Sequence, residues 1–232
     1  MDKIRIGIIG TGGIAHAHAR AYKNFADVEV VAGADIIPGK ARKFLDEFGW
    51  TEATAYENHE ELCARDDIDA VSVCTWNAAH AECSIAALNA GKNVLCEKPM
   101  AMNAEEAEKM LEAAKRNNRL LMIGFVRRFG NDCAIVQALI DHDAKATYLR
   151  RKGCPGGWFG DKARSGGGPL IDLGVHVIDL TRYLMGNPKP VSIYGATFNK
   201  LGDRPGVKGS AGYQSSSKKE GEEDIFTVED FA

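Results

Sequence analysis

The first fifteen residues place a buried strand, a glycine-rich turn and a helix start in succession, which restricts the fold more than any other feature. Residues 4–9 are mostly apolar and predict a buried strand, and Gly10–Ala15 follows with the spacing G-x-G-x-x-G/A. Gly10 permits a tight turn, Gly12 lets the backbone approach a pyrophosphate, and Ala15 lets the helix pack closely on the strand. The alternative is a plain strand–helix turn. We predict a Rossmann βαβ unit whose dinucleotide-binding residues include Gly10, Thr11, Gly12, Gly13 and Ile14.

Strands and helices alternate along the first half of the chain. Beyond residues 4–9, the sequence predicts strands at 28–34, 69–74, 93–96 and 120–125, and helices at 13–25, 38–48, 80–90 and 104–116. Such alternation is typical of βαβ units that share a parallel sheet. We therefore predict an α/β fold class, with a doubly wound parallel sheet in residues 1–125.

The pattern changes near residue 125, where we place the boundary of a second domain, residues 126–232. This part predicts helices at 132–140 and 171–185 and strands at 145–152 and 190–198. A glycine-rich loop is expected at 153–168 and a mobile polar loop at 202–224.

Asp35 ends the second predicted strand, 25 positions after Gly10. A carboxylate there can accept a hydrogen bond from the adenosine ribose and repel a 2′-phosphate. Ile36 and Ile37 follow, and neither can bind that phosphate, so we predict NAD rather than NADP as the cofactor. Lys40 and Arg42 leave some use of NADP open, and a helix-capping role is the alternative for Asp35.

Glu97-Lys98-Pro99 follows the predicted strand 93–96, which places Lys98 at the carboxyl end of a parallel strand. Ligands bind at that end in open α/β sheets. Pro99 fixes its own φ and restricts the backbone of the preceding residue, so the chain leaves the strand in a defined direction. We predict that Lys98 points at a bound substrate.

Asp172 and His176 are four residues apart on the predicted helix 171–185 and share one face. The glycine run 166–168 just before this helix allows the backbone to pass close to a ligand. The alternative is a local Asp–His hydrogen bond that only stabilises the helix. Two residues are too few for a metal site, and we expect no metal.

The composition excludes several functions and favours a cytosolic protein. A net charge of -3 and a pI near 6.1 give no basic surface for nucleic acid. No apolar run approaches the roughly 20 residues that cross a membrane, and no signal peptide precedes the first strand. The six cysteines form no Cys-x-x-Cys pair, so we expect reduced, mostly buried thiols and cytoplasmic localisation.

The chain resembles the Gfo/Idh/MocA oxidoreductases, whose members join an N-terminal Rossmann domain to a C-terminal α/β domain with an open antiparallel sheet. The resemblance implies that residues 126–232 form a substrate-binding and dimerisation domain of α+β type with a mostly antiparallel, incomplete sheet. The matching segments occur in the family's order and span almost the whole chain: 10–15, 74–80, 91–99, 124–129 and 166–176.

The resemblance also implies the site residues. Lys98 and His176 are implied as the catalytic pair, with Asp172 helping to hold the substrate. Thr75, Asn77 and His80 are implied to line or brace a loop near the cofactor, together with Glu97, and the Lys98–Pro99 bond is implied to be cis. Three further residues are expected to contribute ring stacking or polar recognition of substrate: Arg127, Trp158 and Arg164.

Two departures from the family pattern affect these expectations. Trp76 stands where the family usually has proline, so that loop is expected to differ in shape. Family members also continue well past the segment that matches Val228–Ala232. We therefore expect either a fragment or a chain without its C-terminal tail, and a homo-oligomer, dimer or tetramer, if the chain is complete.

The sequence predicts an NAD-dependent dehydrogenase that oxidises a secondary alcohol of a sugar, inositol or related polyol. His176 is expected to take the hydroxyl proton while Lys98 stabilises the charge that develops on the oxygen. Three alternatives remain open. They are an NAD-dependent glycoside hydrolase of the same fold, a non-catalytic cofactor-binding regulator and an inactive fragment.

Overall fold

The computed structural model describes residues 3–131, 133, 157–198 and 227–228. The chain divides into two compact units, residues 1–124 and 125–232. In the first unit the strands are β1 Ile4–Ile9, β2 Val28–Ala34, β3 Thr54–Tyr56, β4 Ala70–Val73, β5 Asn93–Cys96 and β6 Leu121–Ile123. The helices are α1 Gly13–Tyr22, α2 Lys40–Glu47, α3 His59–Cys63, α4 His80–Asn89 and α5 Ala104–Arg116.

The six strands form one parallel sheet in the order β3-β2-β1-β4-β5-β6, which confirms the predicted fold class of this unit. The strand order reverses at β1, which lies between β2 and β4. In a doubly wound sheet the connections diverge at this point, and a crevice opens at the carboxyl ends of the strands. The residues that follow β1, β2, β4 and β5 therefore meet at one edge of the sheet.

The core of this unit explains why these segments fold as they do. The central strands β1, β2, β4 and β5 are largely apolar and buried, and Ile8, Val71 and Val73 are almost wholly removed from solvent. Each helix presents an apolar face to the sheet, such as Phe44 and Leu45 of α2. Complete burial of a large aliphatic side chain contributes about 1.5–3 kcal/mol, so this packing fixes the loops at the sheet edge.

Three details of the first unit differ from the sequence-based prediction. β3 and α3 are too short for their periodicity to predict them. α2 begins at Lys40 rather than at residue 38, because Gly39 adopts a left-handed φ of 75° and interrupts the helical backbone. The predicted strand 120–125 is confined to Leu121–Ile123.

In the second unit the structure describes mainly helices. A 3-10 turn at Gly157–Gly160 precedes the short helix Lys162–Ser165, and the predicted helix 171–185 is a π-helical turn, Leu170–Gly174, followed by the α-helix Val175–Leu184. The predicted strand at 190–198 is wrong. Those residues are exposed and form no strand apart from an isolated bridge at Phe198.

Several predicted elements lie outside the described residues. They are the bulk of the helix at 132–140, the strand at 145–152, the antiparallel sheet and the polar loop at 202–224.

The expectation for the thiols is confirmed for five of the six cysteines, and Cys154 lies outside the described residues. Cys63, Cys74, Cys83, Cys96 and Cys133 are buried and form no disulfide among the described residues. Burial raises the pKa of Cys83 and Cys96 to about 12, so both remain protonated thiols. Within the described part of the chain, no helix has the length and apolar character that spanning a membrane requires.

Candidate active site

Gly10 makes the turn between β1 and α1, and the structure leaves no room for a side chain there. Its φ is +83°, and a Cβ atom would lie 2.8 Å from the backbone carbon and oxygen of Cys74 and from the nitrogen of Thr75. The Gly10 N–H donates to the carbonyl oxygen of Ala34 at 2.8 Å. The turn therefore crosses directly over the ends of β2 and β4.

Gly12, in contrast to Gly10, has open space where a side chain would lie, because a Cβ atom there would have no neighbour within 4 Å. It is the N-cap residue of α1, and no side chain caps the helix. The first N–H groups of a helix lack intrahelical partners and carry partial positive charge. An open surface in front of uncapped N–H groups fits the pyrophosphate of a dinucleotide. Gly13 begins the helix, and Ile14 is partly exposed beside it.

Asp35 ends β2 and accepts hydrogen bonds from the glycine turn. Its Oδ2 accepts from the N–H and the hydroxyl of Thr11, each at 2.9 Å, and lies 2.8 Å from Lys40 Nζ. Its Oδ1 accepts from the Ile37 N–H at 3.1 Å. Burial favours a higher pKa, but Lys40 and the N–H donors of Thr11 and Ile37 hold the pKa of this carboxyl below its ordinary value. Asp35 is therefore an ionised carboxylate beside the turn at residues 10–13, which we call the glycine cradle.

The loop after β4 contains Thr75, Trp76 and Asn77 and leads through the 3-10 turn Asn77–Ala79 into α4. Trp76 has a φ of -73°, a value that a proline ring also allows. Asn77 is buried, and the Thr75 hydroxyl donates to the Trp76 carbonyl oxygen at 3.2 Å. The difference in loop shape expected from Trp76 stays a prediction.

His80 connects this loop to the turn after β5. Its Nδ1–H donates to the carbonyl oxygen of Pro99 at 2.6 Å, and its Nε2 lies 3.2 Å from the carbonyl oxygen of Thr75. The ring is 1% exposed, and burial lowers its pKa below the usual value. His80 therefore braces the two loops from the interior and has no exposed surface for a ligand.

Glu97, Lys98 and Pro99 follow β5, which places them next to the loop after β4 at the same edge of the sheet. The Lys98–Pro99 peptide bond is cis. Glu97 is buried, and its Oε2 accepts from the backbone N–H of Lys98 at 3.1 Å. Burial favours a higher pKa, but a contact with His18 and the proximity of Lys98 lower the pKa of the Glu97 carboxyl. Lys98 itself is half-buried.

His18 is a residue that sequence reasoning missed as part of the site. It lies on α1, and its Nε2 is 3.0 Å from Oε1 of Glu97, 79 positions away in the sequence. The only sequence signal for this role was a histidine on the helix that follows the glycine turn.

In the second unit, Asp172 and His176 lie on consecutive parts of one helical segment. Asp172 belongs to the π-helical turn, and its N–H donates to the Gly168 carbonyl oxygen at 3.2 Å, while His176 is the second residue of the α-helix. Both are half-buried. Because a π-turn is wider than an α-turn, the spacing of these residues no longer establishes a shared face. Such turns are frequent at functional sites.

The α-helix Val175–Leu184 is fixed to the start of its unit by Arg128. The guanidinium donates to both carboxylate oxygens of Asp179, through Nε at 2.8 Å and through a second short contact. The same guanidinium lies 5.6 Å from the ring centroid of Phe125 and 5.1 Å from that of Tyr183. Asp179 is therefore engaged in holding the helix.

The three predicted recognition residues are placed as follows. Arg127 is exposed. Trp158 is half-buried, and its ring stacks on that of Phe159 with the ring centroids 4.0 Å apart. Arg164 is exposed, and its Nε lies 3.1 Å from Oδ2 of Asp161. The ligand atoms of His59, Glu60 and Glu82 lie within 4.8 Å of one another, and both glutamates are exposed. Exposed groups of this kind are common without an ion.

The strand order, the glycine cradle and the acidic residue after β2 define a dinucleotide-binding unit of Rossmann type. A family model described as the oxidoreductase family with an NAD-binding Rossmann fold matches residues 4–125, and the model of the C-terminal domain of the same family matches residues 137–228. The chain belongs to the Gfo/Idh/MocA oxidoreductase family, which confirms the resemblance, and its first unit is an NAD-binding domain.

Similar proteins include sugar and inositol dehydrogenases. D-glucoside 3-dehydrogenase of Escherichia coli strain K12 is 35% identical over 208 residues, which cover 86% of this chain and 59% of that protein. Myo-inositol 2-dehydrogenase from Lactobacillus plantarum has a TM-score of 0.68 and 31% identity, covering 80% of this chain and 57% of that one. Levoglucosan dehydrogenase, in complex with NADH, has a TM-score of 0.70 and 30% identity, and the match covers 80% of this chain and 54% of that one. The chain thus spans little more than half the length of these relatives.

Proposed function

We propose that the protein is an NAD-dependent dehydrogenase that oxidises a secondary alcohol of a sugar, an inositol or a related polyol. The observation that carries the proposal is the placement of Lys98. It lies in the turn at the carboxyl end of β5, at the edge where the glycine cradle opens. The names of the relatives, which are dehydrogenases of glucosides, inositol and levoglucosan, support this substrate class.

The first unit holds the cofactor in this proposal. The N–H groups at the start of α1 bind the pyrophosphate, and the absence of a side chain at Gly12 permits its close approach. Asp35 binds the adenosine ribose. A carboxylate oxygen has two acceptor positions, so Oδ1, which accepts from Ile37, retains a position for a ribose hydroxyl. The nicotinamide, when bound, supplies the acceptor for a hydride from the alcohol carbon.

The chemical residues act on the alcohol oxygen in this proposal. Lys98 donates a hydrogen bond to that oxygen and stabilises its developing negative charge. His176 accepts the hydroxyl proton as the general base. Asp172 orients His176 or a neighbouring hydroxyl of the substrate. Arg127, Trp158 and Arg164 are proposed to contribute to recognition of the ring.

A panel of sugars, inositols and polyols, screened with NAD for the absorbance of NADH, tests this function directly. We expect NADH to accumulate with at least one secondary alcohol of this class. Release of free sugar from a glycoside without net NADH would indicate a glycoside hydrolase instead. NAD binding without any turnover would indicate a regulator. The mass of the same sample in solution tests the predicted dimer or tetramer.

A further inference from the structure

A buried acid–imidazole pair connects the helix of the cofactor cradle to the Lys98 peptide. His18 lies in α1, and its Nε2–H donates to Oε1 of Glu97 at 3.0 Å. The other carboxylate oxygen, Oε2, accepts the backbone N–H of Lys98 at 3.1 Å. The side chains of His18 and Glu97 are 12% and 9% exposed, so both are largely removed from solvent.

A buried carboxylate costs stability unless its oxygens are hydrogen-bonded, so each donor restricts where the Glu97 carboxylate can lie. A third restriction comes from Gly124, just after β6. A Cβ atom at Gly124 would lie 3.2 Å from Oε1 and 3.4 Å from the carboxylate carbon of Glu97, which is closer than most real contacts. The Gly124 N–H donates to the Cys96 carbonyl oxygen at 2.8 Å. The carboxylate is therefore enclosed by α1, by the end of β5 and by the end of β6.

The simplest explanation of such a pair is that it fastens α1 to the sheet. Two observations indicate more than that. The Glu97 carboxylate of this pair accepts the backbone N–H of Lys98, whereas a contact that only attaches α1 to the sheet could involve any residue of the sheet. The next residue, Pro99, is held from the opposite side, because its carbonyl oxygen accepts from His80 at 2.6 Å. The backbone of Lys98 is thus fixed on both sides through contacts of His18 and His80.

We propose that His18 is a positioning residue for Lys98, because it fixes the Glu97 carboxylate, which in turn fixes the Lys98 peptide. The proposal rests on the catalytic role proposed above for Lys98. A displacement of about 1 Å at a catalytic group can lower a rate about 100-fold, so loosening this contact affects turnover. Cofactor affinity depends mainly on the glycine cradle and Asp35, so it changes much less.

The test compares two replacements of His18 in the full protein. His18→Phe keeps a flat ring without a donor, while His18→Gln keeps an N–H donor for Glu97. We expect His18→Phe to lower kcat about 10- to 100-fold with the KM for NAD changed less than about threefold, and His18→Gln to restore most of the loss. The matched control is His59→Gln, a half-buried histidine of α3 next to Glu60, which should retain wild-type kinetics.

A second measurement, amide hydrogen exchange at Lys98, does not depend on turnover. The Lys98 N–H should exchange about tenfold faster in His18→Phe than in the wild type and near the wild-type rate in His18→Gln. If the wild type shows no dehydrogenase activity, the proposed function fails, and the exchange rate still decides whether His18 fixes this peptide. Unchanged exchange in His18→Phe would overturn the inference.

Two further outcomes also count against it. Equal loss of kcat and NAD affinity in both His18 variants would mean that the residue serves only the fold. If His18→Phe does not fold, Gly124→Ala moves the Glu97 carboxylate from the other side without altering His18. That variant should lower kcat and accelerate Lys98 exchange in the same pattern, and wild-type behaviour of Gly124→Ala would refute the proposal.

Discussion

Three glycines of the first unit separate the role of the fold from the role of the cofactor cradle. Gly10 combines a φ of +83° with backbone atoms of Cys74 and Thr75 at 2.8 Å from a Cβ position. Gly39 has a similar φ of +75°, but its Cβ position is open. Gly12 has neither constraint, since its φ is -81° and no atom lies within 4 Å. Replacing each with alanine isolates one effect.

The expected losses of unfolding free energy follow from these geometries. A positive φ costs a residue with a side chain about 1–2 kcal/mol, which is the whole effect expected for Gly39→Ala. Gly10→Ala adds an overlap with backbone that cannot rotate away, and overpacking costs about 1–3 kcal/mol, so its total loss is about 2–5 kcal/mol. Gly12→Ala loses only the advantage of glycine as a helix N-cap, about 1 kcal/mol or less.

Urea unfolding followed by tryptophan fluorescence measures these losses, and titration calorimetry measures NAD affinity on the same variants. Gly12→Ala should weaken NAD binding at least about tenfold while remaining nearly as stable as the wild type, because its methyl group enters the path of the pyrophosphate. Gly39→Ala should bind NAD normally. If Gly10→Ala is no less stable than Gly39→Ala, the close approach of the turn to β4 is refuted. Unchanged NAD affinity in Gly12→Ala would refute the cradle.

Three other predictions concern Asp35 and Arg128. Asp35→Ser with Ile36→Arg should shift the ratio of dissociation constants from NAD toward NADP, because a repelling carboxylate is removed and a phosphate partner is added; tighter binding of NADP by the wild type would contradict the assignment. Asp35→Asn should lower the free energy of unfolding at pH 7. Because the pKa of Asp35 in the folded protein lies below the ordinary value of 3.8, the difference in unfolding free energy from the wild type should persist down to about pH 5 and shrink as the pH falls below about 4. Urea titrations measure this difference, and a value at pH 3 equal to that at pH 7 would contradict the prediction. Arg128→Ala should lower the free energy of unfolding by about 1–3 kcal/mol, less than for a fully buried ion pair because Arg128 is one-third exposed. Arg128→Lys should lose part of that stability, because lysine cannot contact both carboxylate oxygens of Asp179 as arginine does. Equal stability of both variants and the wild type in urea would refute the stabilising role of this ion pair.

The local patterns of the first unit were sufficient to predict its architecture. β1, the glycine turn and α1 follow one another within about twenty residues, and their spacing alone indicates the Rossmann βαβ unit. β3 and α3 were missed because elements of three and five residues carry too little periodicity. The start of α2 was misplaced because Pro38 favours a helix start, whereas the sequence does not reveal that Gly39 takes a left-handed conformation.

The candidate site was less predictable, because its contacts join residues far apart in sequence. Asp35 was identified from its position after a strand, but its bond to Thr11 and its pairing with Lys40 depend on how the turn folds back. His18 had no sequence signal that linked it to Glu97, since the contact exists only once α1 packs beside β5. The π-helical turn that contains Asp172 could likewise not be predicted, because residue spacing was interpreted with α-helical geometry.

The central claim is that Lys98 acts on the alcohol oxygen of a sugar or polyol substrate. The most direct test compares NADH formation by the wild type and by Lys98→Ala with a substrate found in the screen, alongside NAD binding to both proteins. The account predicts that Lys98→Ala lowers turnover about 10²- to 10⁴-fold while the dissociation constant for NAD changes less than about threefold. Near-normal turnover by Lys98→Ala on that substrate would contradict the proposed mechanism.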